Sequence, residues 1–97
     1  IILCMVKSAK HRKELHKTLE ELHLYKEKNG CFDCKNRYPH YVLEFDHKPE
    51  FNKLDVVYRV LRNYGPEAAW AEVRKCDVVC ANCHKIRTYD REQEDGS

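Results

Sequence analysis

The sequence predicts a small, metal-stapled α+β domain, and three observations predict it. Two Cys-x-x-Cys pairs, Cys31-Phe32-Asp33-Cys34 and Cys80-Ala81-Asn82-Cys83, each present two thiolates on a tight knuckle. Two such knuckles close a tetrahedron of sulfurs around one zinc ion. Leu15, Leu19 and Leu22 recur at helical spacing, whereas Tyr41 to Asp46 alternates as a strand. The third observation is length. A chain of 97 residues lies near the lower end of what a hydrophobic core stabilises alone. A structural ion is worth on the order of 10 kcal/mol of folding free energy in small zinc peptides.

Charged residues make up 35% of the chain, but the balance is only +2, so no global basic field advertises a polyanion partner. The distribution is more telling. Lys7, Lys10, His11, Arg12, Lys13, His16 and Lys17 crowd the amino end, and Asp90, Glu92, Glu94 and Asp95 crowd the carboxyl end. The paired spacing, with Cys4 and Cys76 left over, argues against a secreted disulfide scaffold and for metal ligands in a reducing, cytoplasmic compartment. The apolar opening Ile1 to Val6 is far too short to span a bilayer and lacks the features of a signal peptide. A start on Ile1 rather than Met reads as a fragment or a trimmed product.

Within a single domain 1–97, residues 8–29 read as an amino-terminal helix, capped by Ser8 and stopped at Asn29-Gly30. Its narrow apolar stripe packs one edge on the domain or pairs two chains as a homodimer. His11, His16 and His23 are not spaced i, i+4, so no metal clamp is expected there. The unit 31–90 follows. A bare zinc ribbon separates its pairs by about 15–20 residues, whereas here the whole of Lys35 to Val79 intervenes as a structured insert. Tyr41, Leu43 and Phe45 are expected on the buried face of a strand that ends before Pro49. A short helix capped by Asp55 runs to Asn63, Tyr64-Gly65 breaks it, and Pro66 opens a second helix to Lys75 carrying Ala68, Ala69, Trp70 and Val73. Asp77 to Val79 is a short strand, residues 81–90 a helix, and 91–97 a disordered polar tail.

The chemistry lies in Asp46, His47 and His84, residues that a structural zinc does not need. A carboxylate from Asp46 and an imidazole from His84 make a two-ligand site for a hard divalent cation such as Mg²⁺ or Mn²⁺, with positions open for water and a phosphate. His47 is then the general base, the role imidazole side chains most often take. Regular strand geometry sends Asp46 and His47 to opposite faces, so serving one phosphate requires His47 just past the strand, where the backbone turns.

Leu43-Glu44-Phe45-Asp46-His47-Lys48-Pro49, together with Cys76-Asp77-Val78-Val79-Cys80-Ala81-Asn82-Cys83-His84-Lys85, resembles the HNH endonucleases, the ββα-metal nucleases of phage, restriction and homing systems. The resemblance covers residues 31–90. It implies a zinc-stapled, treble-clef-like ββα-metal domain with an N-terminal helix and a helical insertion over 48–75. It further implies a catalytic divalent metal on Asp46 and His84, His47 as base, and a structural zinc on Cys31, Cys34, Cys80 and Cys83. The substrate implied is double-stranded DNA. The family's middle asparagine has no counterpart, Lys75-Cys76-Asp77 standing in its region, and its duty is expected to fall to Asp55 or Asp77.

Lys85 and Arg87 on the last helix, and Arg59 and Arg62 on the insert, are read as phosphate contacts. Tyr38 and Trp70 are large rings able to stack on bases, with Trp70 read first as core. The competing reading is a non-catalytic zinc-stabilised module for nucleic-acid binding or dimerisation. A module of that kind has no use for Asp46, His47 and His84 together.

Overall fold

The computed structural model describes residues 9–96. The expected cap at Ser8, the Ile1 to Val6 opening, Cys4 and Lys7 lie outside the described residues. Helix α1 (Ala9–Asn29) leads into the first cysteine knuckle and a 3₁₀ turn (His40–Val42). Strand β1 (Leu43–His47), helices α2 (Val57–Tyr64) and α3 (Pro66–Val73), strand β2 (Cys76–Cys80) and helix α4 (Ala81–Gly96) follow. The architecture is α+β, with four helices and one two-stranded antiparallel sheet among the described residues.

Helix α1 stops because Gly30 takes a left-handed φ of 69°, where a Cβ would stand 3.0 Å from the Asn36 carbonyl. Arg37 Nη1 donates to the carbonyls of Glu27 and Lys28 at 3.1 and 2.7 Å, satisfying acceptors that the end of a helix leaves open. Leu22, at the centre of the leucine stripe, is fully buried against Val57, Leu61, Ala69 and Val73, with Leu15 and Leu19 at the margin. Burying a side chain of that size contributes about 1.5–3 kcal/mol. Trp70 packs half-buried on the same cluster, edge-on to Tyr25 at 5.6 Å between ring centroids.

The two strands pair antiparallel in the register Leu43↔Cys80, Asp46↔Asp77 and His47↔Cys76. A second cluster of Leu43, Val78, Val79, Cys31 and Cys80 fills the space beneath the knuckles. Three expectations change here. Tyr41 stands in the 3₁₀ turn and is 77% exposed, because the strand begins only at Leu43. Asp55 does not cap α2 from the N-cap position. The cap is Val56, and Asp55 Oδ1 instead accepts from the Val56 N–H and from Arg59. Residues 91–96 are helical, because Arg91 ties the last turns of α4 to the sheet through Asp46. No helix among the described residues is long and apolar enough to cross a membrane.

Candidate metal centre and candidate active site

The two knuckles meet. Cys31, Cys34, Cys80 and Cys83 bring their sulfurs within 4.8 Å of one another. The Cys34–Cys80 separation of 4.0 Å is twice a disulfide bond and close to the about 3.8 Å edge of a tetrahedron with 2.3 Å metal–sulfur bonds. The first knuckle is shaped by the Cys34 N–H on Cys31 Sγ at 3.4 Å and the Lys35 N–H on the Cys31 carbonyl at 2.9 Å. Lys35 takes φ 65° to close it, a conformation that costs a non-glycine residue roughly 1–2 kcal/mol. The second knuckle is the junction of β2 with α4: Cys80 ends the strand, and the N–H of Cys83 in the first helical turn points at Cys80 Sγ at 3.5 Å. Burial raises the Cys31 thiol, but backbone N–H groups outweigh it and bring it to about 6. Burial, and then the neighbouring sulfurs, push Cys83 up to about 12. The four cysteines are positioned to hold a metal ion, and the all-sulfur set is compatible with structural zinc. Cys76 is outside the set. It is buried, its Sγ donates to the Glu72 carbonyl, and burial pushes its thiol up to about 12.

On the opposite side of β1, alternation sends Glu44 and Asp46 toward α4, and Leu43, Phe45 and His47 toward α1–α3. Helix α4 presents His84, Arg87 and Arg91 at i, i+3 and i+7, one face over those carboxylates. His84 Nε2 lies 3.5 Å from Asp46 Oδ1, and its Nδ1 is held by Glu44. Asp46, only 4% exposed, also accepts from Arg87 at 2.7 Å and from both terminal nitrogens of Arg91 at 3.0 and 2.9 Å. Burial raises its carboxyl, but the two guanidiniums outweigh that and hold it below the usual carboxylate range.

His47 is the last residue of β1, still paired with Cys76, rather than past the strand as expected. It nevertheless reaches the same site as Asp46. A two-stranded sheet leaves one edge of β1 uncovered, and a cavity of about 520 Å³ opens along that edge. Asp46, His47 and His84 all line it, together with Glu44, Lys26, Tyr58 and Arg91. The His47 Nε2 lies 2.9 Å from Glu72 Oε2. Neither Asp55 nor Asp77 makes that contact: Asp55 pairs with Arg59 at 3.3 Å, and Asp77 with Arg87 at 3.1 Å.

The basic residues divide. Arg87 donates to Asp33 through Nε and Nη2, both at 2.7 Å, and to Asp46 and Asp77, so its fork faces carboxylates of this chain. Arg59 is exposed and pairs with Asp55, while Arg62 and Lys85 are exposed on α2 and α4. Tyr38 packs half-buried against the sulfur cluster.

Glu44, Glu72, Lys26 and Arg91 escaped the sequence reading, Arg91 because it was read into the polar tail. Glu44 had a signal, since a strand puts residues two apart on one face. Glu72 and Lys26 had none: each sits on a helix whose charged residues read as solvated, and each is buried, at 1% and 4% exposure. Lys26 donates to the Leu43 carbonyl at 2.9 Å and lies against the Phe45 and Tyr58 rings, a cation at the floor of the cavity. Comparison of the chain with protein-family models, with curated proteins and with solved structures found no match.

Proposed function

We propose that the chain is a metal-dependent endonuclease of the HNH type, hydrolysing phosphodiester bonds of DNA from a zinc-stapled, treble-clef-like ββα-metal unit. The observation that carries this reading is convergence. Asp46, His47 and His84, 38 positions apart at the extremes by number (84 minus 46), line one open cavity beside a four-cysteine site. The pieces fit the ions. Four sulfurs suit zinc, and a carboxylate oxygen with an imidazole nitrogen 3.5 Å away suits a small divalent cation.

Asp46 and His84 would hold Mg²⁺ or Mn²⁺, which when bound supplies positive charge to the phosphoryl oxygens and the departing sugar oxygen. Glu44 holds His84 by Nδ1, leaving Nε2 directed at Asp46. His47 takes the proton from the attacking water as oxygen adds to phosphorus and the bond to the sugar oxygen breaks. Lys26 attracts the strand to the cavity, and Arg59, Arg62 and Lys85 contribute phosphate contacts without reading sequence.

A second reading has one observation of its own. Two arginines already neutralise Asp46, as they would in a zinc-stabilised binding module whose carboxylate serves only the fold. Plasmid DNA separates the two. Purified zinc-loaded protein with Mg²⁺ or Mn²⁺ is expected to relax or linearise supercoiled circles, and excess magnesium chelated by EDTA to stop it. Circles left intact under every divalent metal would overturn the nuclease reading.

A further inference from the structure

Glu72 is buried, 1% exposed, on α3, the helix that the insert folds back across the end of the sheet. Its two oxygens meet three donors. Oε1 takes Lys75 Nζ at 3.0 Å, and Oε2 takes the Leu54 N–H at 2.9 Å and stands 2.9 Å from His47 Nε2. A backbone N–H and an ammonium only donate, and an ionised carboxylate only accepts. Burial raises the Glu72 carboxyl, but hydrogen bonds from Lys75, Leu54 and His47 outweigh it and keep the group in the ionised range. With the acceptor fixed, the hydrogen of a neutral His47 ring belongs on Nε2.

We propose that Glu72 is the positioning residue of His47: its carboxylate fixes the imidazole as the Nε2–H tautomer, turns the ring toward the cavity, and makes Nδ1 the atom that accepts a proton. As a role in catalysis the inference rests on the nuclease reading; as a statement about the tautomer it stands alone. The same carboxylate grips the loop before α2 through Leu54 and the turn after α3 through Lys75, which itself donates to the Asn52 carbonyl at 2.8 Å. The base is thereby keyed to the insert rather than to the strand that carries it. A carboxylate that orients a catalytic imidazole through its far nitrogen acts on tautomer and ring angle, and an amide in its place admits the wrong tautomer.

The test uses the full zinc-loaded chain. Long-range ¹H–¹⁵N spectra near pH 8, about 1.5 units above the ordinary imidazole value, read the His47 tautomer directly, and plasmid cleavage gives kcat and KM. The wild-type ring is expected to be the Nε2–H form. In Glu72→Gln an amide cannot accept from all three donors, so the Nδ1–H form is expected to gain population. The variant should keep its zinc and a cooperative melt, with kcat down on the order of 10- to 100-fold and KM for DNA unchanged. A wild-type ring protonated on Nδ1, or a Glu72→Gln protein with wild-type tautomer and kcat, overturns the proposal. Should Glu72→Gln fail to fold, the wild-type spectrum still decides. An inert wild type with the Nε2–H ring sinks the nuclease reading and upholds the Glu72 contact. Active cleavage with freely exchanging His47 tautomers does the reverse.

Discussion

The sulfur cluster and the carboxylate face are both built from acidic groups, but only the second is matched by cations of the chain. Around Cys31, Cys34, Cys80 and Cys83 no side-chain cation is hydrogen-bonded to sulfur among the described residues. Around Asp46 two guanidiniums stand within hydrogen-bonding distance, so that carboxylate is paired within the chain. The contrast teaches what each site is for. On the nuclease reading, an ion held by four sulfurs that have no cationic partner in the chain would be part of the fold, whereas one that competes with two guanidiniums for Asp46 would be exchangeable.

The largest effect should therefore come from the sulfur end. Cys80→Ser, or zinc chelation, is expected to abolish the cooperative thermal transition, since the ion contributes on the order of 10 kcal/mol in small zinc domains. A Cys80→Ser protein that stays soluble and melts like the wild type would erase the distinction between the two ends.

The carboxylate end should lose activity without losing structure. His47→Ala is expected to keep zinc and melt within a few degrees of the wild type, because Glu72 retains Lys75 and Leu54 as donors. Cleavage of supercoiled plasmid should fall by at least about 100-fold, the scale of a lost general base. Equal cleavage by the two proteins removes His47 from the chemistry.

Arg91→Gln sharpens the comparison from the other side. Arg91 is the more exposed of the two clamps on Asp46, at 39% for its side chain against 18% for Arg87. Removing it frees carboxylate lone pairs for a cation. Affinity for Mn²⁺ measured by calorimetry should rise on the order of tenfold, about 1.4 kcal/mol, within the range for a hydrogen bond to a charged group. Unchanged or weaker binding would mean that Arg91 does not compete with the ion.

The division between what could and could not be read from the sequence follows the same line. Local patterns carried the cysteine knuckles, the leucine face of α1, the Gly30 stop and the nearness of Asp46 to His84, because each depends on fixed spacing or on one strand paired with one helix. Glu72 was invisible because its contact with His47 spans 25 positions and depends on how α3 folds back, which no periodicity encodes. Arg87 read as a phosphate contact because an arginine on a polar helix normally faces water. Its real partners, Asp33, Asp46 and Asp77, come from three separate segments. The tail 91–97 read as disordered from its polarity, and its described residues 91–96 are helical because Arg91 has Asp46 to hold.

Asp33 connects the two ends, and it gives the smallest and most discriminating test. It sits inside the first knuckle, between Cys31 and Cys34, so the fold of the sulfur site sets where its carboxylate stands. There it receives a bidentate fork from Arg87, whose remaining donors reach Asp46 and Asp77. Asp33→Asn weakens that fork and lets Arg87 settle more firmly on Asp46, so Mn²⁺ affinity should fall by a few-fold, opposite in sign to Arg91→Gln. The partly exposed pair itself is worth at most about 1 kcal/mol of stability. Arg87 holds the Asp33 carboxyl below its ordinary value of 3.8, against a smaller rise from burial. A depressed carboxylate stabilises the fold above its unfolded value and loses that contribution as pH falls through the folded one. The difference in melting temperature between wild type and Asp33→Asn should accordingly be full at neutral pH and narrow as acid takes the solution below about pH 3.8. The comparison is read over the pH range in which both proteins keep zinc and a cooperative transition. Equal Mn²⁺ affinities in wild type and Asp33→Asn would show that the first cysteine knuckle does not act, through Arg87, on Asp46.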